Sequence, residues 1–222
     1  MLGSRERTAH PFSFEVEPAY LGRKRLTGAC RFLLALPHIV FTGGPSLLGM
    51  VIAPLLVLVG LAPLTIPLSI GALGVIAILT TVMSWSGILI TGRQARNLRE
   101  FTIFFVNWRA KTIAYTTLLR DEFPSFGFGN YSASLTNPLP PPTRNRLTVA
   151  LRLPLLIPHL PMLVILNAAL TFVSLLAWAT VALFGRYPQP LYEFSTGVLR
   201  YSFRVETYLL LLHDDFPPLR LD

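Results

Sequence analysis

The chain has 222 residues, of which 52% are hydrophobic and only 14% are charged, whereas soluble domains carry about 25% charged residues. The formal net charge of +8 comes from basic residues that flank apolar runs, and no nucleic-acid-binding module is recognisable, so nucleic acid is not an expected partner. The single cysteine, Cys30, excludes an internal disulfide and a zinc cluster of the usual kind.

Two long apolar runs dominate the chain. Phe32 to Thr91 contains no charged side chain apart from His38, and Leu153 to Phe184 contains none apart from His159. Because a bilayer-spanning helix needs roughly 20 apolar residues, the sequence predicts an all-α integral membrane protein. Basic residues lie at both ends of each run, which predicts that both ends face the cytoplasm and contact anionic lipid headgroups.

If both ends of an apolar run lie on the cytoplasmic side, the run must cross the membrane an even number of times or enter it without crossing. The first run is long enough for two spans with a turn near Leu61 to Pro67. The second favours a shallower hairpin of two short helices with a turn near Asn167, and a single tilted span is the alternative. We therefore expect four crossings, or three, of the bacterial inner membrane, with both termini in the cytoplasm.

An internal repeat organises the chain. The segment RLTGACRFLLALPH, from Arg25 to His38, recurs 121 residues later as RLTVALRLPLLIPH. A second match, at an offset of 93 residues, aligns Gly92-Arg93 with Gly185-Arg186. The change of offset places 28 extra residues in the first copy. We predict two tandem repeats, each a membrane hairpin followed by an amphipathic interfacial helix. The expected segments are a cytoplasmic N-terminal segment (1–24), copy one (25–126), a Pro-rich extended linker (127–145) and copy two (146–219).

An amphipathic helix is predicted near the end of each copy, from Arg99 to Leu119 and from Tyr192 to Leu212. Apolar residues recur there at spacings of three and four, and aromatic residues are mixed with basic ones. This pattern is typical of a helix in the headgroup plane and equally of a cytoplasmic helix packed on its own hairpin. The residues expected at the membrane interface are Trp108, Lys111, Tyr115, Arg200, Tyr201, Arg204 and Tyr208.

Each amphipathic helix ends in an acidic pair, which opposes the helix dipole and therefore needs a compensating interaction. These pairs are Asp121-Glu122 and Asp214-Asp215. We expect ion pairs with the Gly-Arg arginines, Arg93 and Arg186, or with Arg25 and Arg146. A metal site is not predicted, because two adjacent carboxylates do not make a coordination shell.

The histidines of the repeated segment, His38 and His159, are the candidates for cofactor binding or proton transfer. Each follows a proline near the start of an apolar run, where an ionisable group suggests function. If a twofold axis relates the copies, the imidazoles could together bind a haem or another porphyrin-type cofactor. A structural role, in which the ring donates to a carbonyl that proline leaves unpaired, and a proton relay are the alternatives.

The stretch Gly185-Arg186-Tyr187-Pro188, followed by YEFSTGVLRYSFRVETYLLLLHDDFPPL, carries a resemblance to a known family. It resembles bacterial membrane proteins known only as domain of unknown function four-three-eight-nine. Copy two fits over nearly its whole length, whereas copy one has Gln94-Ala95 in place of Tyr-Pro and is expanded. The resemblance implies membrane residence and no catalytic residues.

Catalytic motifs such as G-x-S-x-G, H-E-x-x-H and a phosphate-binding glycine loop are absent from the sequence. We therefore expect a non-enzymatic membrane protein with no required cofactor. The first function expected is an accessory or scaffolding subunit of a larger membrane complex. A lipid-binding or transport-assisting module and a His-ligated redox cofactor anchor are the alternatives.

Overall fold

The structure is a computed structural model that describes residues 12–44, 70–127, 129–136 and 143–221. These residues form mainly helices, together with one two-stranded sheet. The elements are β1 (Ser13–Val16), α1 (Arg25–Ala29), α2 (Arg31–Thr42), α3 (Ala72–Thr91), α4 (Arg96–Thr116), β2 (Ala133–Thr136), α5 (Arg146–Ala150), α6 (Arg152–Leu156), α7 (His159–Phe184) and α8 (Gln189–Leu209).

Two helices, α3 and α7, are long and apolar enough to cross a membrane by length and composition. The buried residues of α3 are small or lie on one face, as at Ala77, Ser84 and Ile88. Most of the other apolar side chains of both helices are exposed. In this respect they differ from the core helices of a soluble domain. Each ends at a glycine in the left-handed conformation, Gly92 or Gly185.

The predicted hairpin in copy two is wrong, because α7 is one continuous helix through Asn167. The amide Nδ2 of Asn167 donates to the carbonyl oxygen of Leu163 at 2.8 Å, so this polar side chain is satisfied within the helix. Between Pro161 and Gly185 the sequence has no proline or glycine to interrupt the helix. The hairpin that does form pairs α7 with the amphipathic helix α8.

Copy one contains the same long helix, divided into two parts. The five residues from His38 to Thr42 and the 20 residues of α3 together match the 26 residues of α7 to within one residue. The two parts meet at Gly43 and Gly71, where a Cβ on Gly71 would overlap the backbone nitrogen of Gly43. The extra residues of copy one therefore leave and rejoin the helix at one point. The turn predicted near residues 61–67 lies outside the described residues.

The amphipathic helices are packed between the sheet and the apolar helices. In copy one α4 contacts β2 and α3, and in copy two α8 contacts β1 and α7. The inner face of the sheet is apolar, with Phe14 and Leu135 buried, while Glu15 and Ser134 are exposed on its outer face. The predicted extended linker thus contributes a strand that pairs with the N-terminal segment.

The strand register relates the two copies. Strands β1 and β2 are antiparallel, and Phe14 is paired with Leu135, which is its own equivalent at the offset of 121. Antiparallel pairing of equivalent strands is the arrangement that a twofold relation between the copies produces. Equivalent contacts therefore begin before residues 25 and 146, the predicted starts of the copies.

Each copy also caps the apolar helix of the other copy. The backbone N–H of Arg23 donates to the carbonyl oxygen of Gly185 at 3.0 Å, and that of Arg144 donates to Gly92 at 3.0 Å. These bonds satisfy carbonyl groups that would otherwise lack a partner at the ends of α7 and α3. The two copies are thus interlocked and not simply placed side by side.

We expect Gly185→Ala to destabilise the protein by more than about 1 kcal/mol. Gly185 has φ +66°, and a Cβ there would lie 3.1 Å from Nε of Arg25. Left-handed backbone costs an L-residue about 1–2 kcal/mol. The measurement is thermal unfolding in detergent.

Two glycine variants serve as controls for this substitution. Gly22 has φ +69°, and nothing lies within 4 Å of the position that a Cβ would occupy there, so Gly22→Ala reports the backbone strain alone. Gly87→Ala, inside α3 and without positive φ, should be neutral or slightly stabilising. Equal losses at Gly185 and Gly22 would show that the crowding against Arg25 contributes nothing.

Candidate functional site: paired arginine clusters and enclosed histidines

Two buried arginines and an aspartate form a cluster at the C-terminal end of α8, which we call the second clamp (Arg144, Arg152 and Asp214). Nε of Arg144 donates to both carboxylate oxygens of Asp214 at 3.0 Å, and Nη2 of Arg152 donates to Oδ1 at 2.6 Å. The same guanidinium groups donate to the carbonyl oxygens of Leu211 at 2.7 Å and Tyr208 at 2.5 Å. The second clamp therefore satisfies carbonyl groups at the end of α8.

Equivalent residues form the first clamp (Arg23, Arg31 and Asp121) at the C-terminal end of α4. Nη1 of Arg31 donates to the carbonyl oxygen of Arg120 at 2.7 Å, and Nη2 of Arg31 forms an ion pair with Asp121. Nη2 of Arg23 lies 3.0 Å from Asp121, and Nη1 donates to the carbonyl oxygen of Leu119 at 3.1 Å. The same helix end is thus closed in the same way in both copies.

The backbone of the two clamps is also alike. Leu118 and Leu211 both have φ 62°, an unfavourable conformation for leucine that directs successive carbonyl groups toward the arginines. The guanidinium of Arg31 lies 4.7 Å from the ring centre of Tyr115, and that of Arg152 lies 4.2 Å from the ring centre of Tyr208. Cation–π contact stabilises each buried charge further.

The electrostatics of the second clamp favour the ionised pair. Burial raises the pKa of Asp214, but the hydrogen bonds and charges of Arg144 and Arg152 outweigh it, so the net pKa lies below the ordinary value. Burial lowers the pKa of Arg152, with a further contribution from Arg144. Since arginine starts from a pKa above 12, the cluster carries charge at neutral pH.

The structure corrects the arginine partners that the sequence suggested for the acidic pairs. Asp121 and Asp214 do form ion pairs, but with the clamp arginines. Arg93 and Arg186 are exposed and form no ion pair with any described residue. Arg25 and Arg146 are also exposed and instead lie against Gly185 and Gly92. The recurrence of Arg23 and Arg31 at the offset of 121 was the signal that could have identified the clamps.

His38 and His159 are fully buried, each among aromatic residues of its own copy. Nε1 of Trp108 donates to Nδ1 of His38 at 2.9 Å, and the rings of Phe123 and Phe126 contact the imidazole. Because indole is only a donor, the neutral ring of His38 carries its proton on Nε2.

The copy-two histidine is held in the same way. Nδ1 of His159 is 2.7 Å from the hydroxyl oxygen of Tyr201, and Phe216 packs edge-on against the ring. Nε2 of each histidine has no hydrogen-bond partner among the described residues. The ring contacts of His38 and His159 are with aromatic residues of their own copies, and the shared cofactor site stays a prediction. The structural alternative predicted that each ring donates to a backbone carbonyl group. Nδ1 of each ring instead pairs with Trp108 or Tyr201.

The residues predicted at the membrane interface point mainly into the protein. The buried members are Trp108, Lys111, Tyr115, Tyr201, Arg204 and Tyr208, whereas Arg200 is partly exposed. Nζ of Lys111 donates to the carbonyl oxygen of Gly127 at 2.9 Å, and Nε of Arg200 donates to Phe14 at 3.2 Å. These cations donate to backbone carbonyl groups, which favours the alternative in which the amphipathic helices pack within the protein.

An apolar groove of about 430 Å³ lies between the two copies. One wall comes from α3 and the other from the start of α6 and the end of α8. Its lining residues include Ile78, Val82, Trp85, Leu153, Leu209 and Leu211. In the part of the chain that the structure describes, no group of three or more His, Cys, Asp or Glu residues could hold a metal ion.

The comparisons with known proteins identify a family and nothing further. The family described as Domain of unknown function (DUF4389) matches two segments of the chain, residues 61–127 and 146–219. This is the family that the Gly-Arg-Tyr-Pro stretch resembles, and it is present as two tandem copies. Comparison with curated proteins and with solved structures gives no match.

We expect Asp214→Asn to lower the free energy of unfolding by about 2 kcal/mol. The substitution leaves two buried guanidinium groups without a counter-charge, which is costly in a buried pair. Chemical or thermal unfolding in detergent measures the change. The exposed neighbour provides the control, because Asp215→Asn should change stability by less than about 0.5 kcal/mol. Equal effects of the two substitutions would contradict the role assigned to the second clamp.

The stabilising effect of Asp214 should disappear in acid. Its folded-state pKa is lowered, so it stabilises the folded state above the unfolded-state pKa of about 3.9. That contribution is lost as the pH falls below this value toward the folded-state pKa. Melting temperatures of the natural protein and of Asp214→Asn should therefore differ by a constant amount down to about pH 4 and converge as the pH is lowered further, over a series from pH 6 to pH 2. A constant difference across this range would exclude Asp214 as the titrating group.

Proposed function

We propose that this chain, which belongs to the family described as Domain of unknown function (DUF4389), is a non-enzymatic integral membrane protein that serves as an accessory or scaffolding subunit of a larger complex. Its place is the bacterial inner membrane, with both termini in the cytoplasm. The apolar helices α3 and α7 hold it there, and their outward faces are available to lipid and to other membrane subunits.

The exposure of α3 and α7 is the observation that carries this proposal. Phe172 on α7 is 74% exposed, and its equivalent on α3, Leu79, is 58% exposed. Soluble proteins rarely leave large contiguous apolar patches in water. Two such helices, with their exposed side chains on neighbouring turns, fit a hydrocarbon environment and helix-to-helix packing within it.

The chemistry of the polar groups supports a structural role in the same way. The clamp arginines are buried and donate to backbone carbonyls and to aspartate. The two imidazoles are enclosed by aromatic side chains. A catalytic group must reach a substrate within hydrogen-bond distance, and the clamp guanidinium groups are already engaged with carbonyl groups at the helix ends.

A lipid-binding module is the second candidate, favoured by the groove between the copies. This groove is apolar along Ile78, Val82 and Trp85 on one side and Leu153 on the other. Its volume of about 430 Å³ lies within the range of ligand pockets, about 300–1,000 Å³. A lipid acyl chain matches such a lining. The histidines give the redox-anchor alternative no comparable support, because their rings face separate aromatic surroundings.

Purification from the native membrane in a mild detergent tests the proposal. We expect stoichiometric protein partners by mass spectrometry and no visible absorption band. A lone protein that retains a defined phospholipid would favour the lipid-binding function, and a Soret band would favour the redox anchor.

A matched pair of variants sharpens this experiment. Phe172→Ser and its equivalent Leu79→Ser each remove one exposed apolar side chain without touching a clamp. A subunit bound through α7 should be lost with Phe172→Ser and retained with Leu79→Ser, and the reverse holds for α3. Retention of every partner in both variants would show that these helix faces do not carry the subunit contacts.

A further inference from the structure

We propose that α3 and α7 do not cross the bilayer but lie in the plane of one leaflet, with the sheet on the cytoplasmic side. The partner surface is thus the cytoplasmic leaflet of a membrane that contains anionic phospholipid. This inference rests on the membrane residence proposed above and adds the orientation, which length and apolar composition do not determine.

The N-terminal segment extends along the whole of α8. Its first described residue, Phe12, stacks on His213 beyond the C-terminal end of the helix, with ring centres 5.9 Å apart. Farther along, Phe14 packs on Phe203 with ring centres 5.1 Å apart. The segment then accepts a hydrogen bond at Glu17 from the hydroxyl of Tyr192, at 3.1 Å.

The same segment reaches the end of α7, where the N–H of Arg23 donates to Gly185. Because α7 and α8 pack together as a hairpin, a bilayer crossed by α7 would also contain α8 and the segment beside it. The exposed carboxylates of Glu15 and Glu17 would then lie at the depth of the hydrocarbon.

Placing this segment in hydrocarbon carries a large energetic cost. A charged side chain near the bilayer centre costs at least about 2.5–3.5 kcal/mol. The exposed edges of a two-stranded sheet would add unpaired backbone groups, which do not occur facing lipid. With α7 in the plane of the membrane, the sheet remains in water and only the apolar helix faces enter the lipid.

The exposed surface of the protein matches this orientation. The sheet presents Glu15 and Ser134 outward on one side of the amphipathic helices. On the apolar helices the outward residues include Val82, Met83 and Ile90 of α3 and Phe172, Leu176 and Leu183 of α7. In-plane helices of this kind are buried about 5–10 Å deep, at the boundary of headgroups and acyl chains.

The exposed arginines indicate that the lipid headgroups in contact with the protein are anionic. Arg146 lies over Gly92, next to Arg93, and Arg25 lies over Gly185, next to Arg186. Each pair combines one arginine from each copy, and none of the four forms an ion pair with a described residue. Both pairs lie at ends of apolar helices, and with α3 and α7 in the plane of one leaflet both pairs can contact the headgroup phosphates of that leaflet. The basic residues at both ends of each run then face one side, as the charge distribution requires.

Single-cysteine labelling tests the orientation in the full chain. After Cys30→Ala removes the native cysteine, Thr148→Cys marks the region before α7, and Gln189→Cys marks the region after it; both positions are exposed. A membrane-impermeant maleimide is applied to sealed inside-out and right-side-out vesicles. We expect both positions to react only in inside-out vesicles. Reaction of the two positions from opposite sides would show that α7 crosses the bilayer and would overturn the inference.

Fluorescence quenching gives an independent measure of depth. A bimane label on Phe172→Cys, near the middle of α7, should be quenched most by lipids brominated near the headgroup end of the acyl chain. A label on Ser134→Cys in the sheet should not be quenched by any brominated lipid. Strongest quenching of the Phe172→Cys label at the bilayer centre would contradict an in-plane α7.

The two proposals fail in distinguishable ways. If the natural protein does not float with vesicles that contain anionic phospholipid, membrane residence itself is wrong, and the orientation falls with it. If the protein floats but the two cysteines react from opposite sides, membrane residence stands and only the in-plane orientation is overturned.

Discussion

Buried arginines donate to carbonyl groups at and just beyond the C-terminal ends of α4 and α8, where a helix supplies few N–H donors of its own. In each clamp two guanidinium groups fill this position and share one aspartate. Removing any one of the three groups would leave a buried charge or a buried carbonyl without a partner. An acidic residue at the C-terminal end of a helix is destabilising through the helix dipole. Here the ion pairs with two buried arginines compensate for that effect.

The clamps also account for the way the copies interlock. Arg23 and Arg144 belong to the segments that precede each copy, and their backbone N–H groups cap the apolar helix of the other copy. Each segment therefore binds one copy through its side chain and the other through its backbone. This arrangement holds the sheet on one side and leaves α3 and α7 with outward apolar faces, the surface from which both proposals about the membrane derive.

Several features could be read from local sequence because they depend on local chemistry. The repeat, the apolar runs and the amphipathic helices follow from residue pattern alone, and the need for a charge partner at Asp121 and Asp214 follows from the helix dipole. The identity of the partners did not follow. Arg93 and Arg186 are close along the chain to the apolar helix ends, but the chain folds so that Arg31 and Arg152 reach the aspartates. The predicted turn near Asn167 was wrong because an asparagine can satisfy its amide within a helix.

The sequence by itself determined that the chain repeats a unit, that each unit has an apolar run followed by an amphipathic helix, and that basic residues are concentrated at the ends of the apolar runs. These are properties of composition and period, which act over a few turns. Only the tertiary structure decided which arginine meets which aspartate, that β1 pairs with β2 through Phe14 and Leu135, and that a polar segment runs beside α8. Those contacts join residues roughly 60–190 positions apart, and no local pattern specifies which distant groups will share a buried, low-dielectric site.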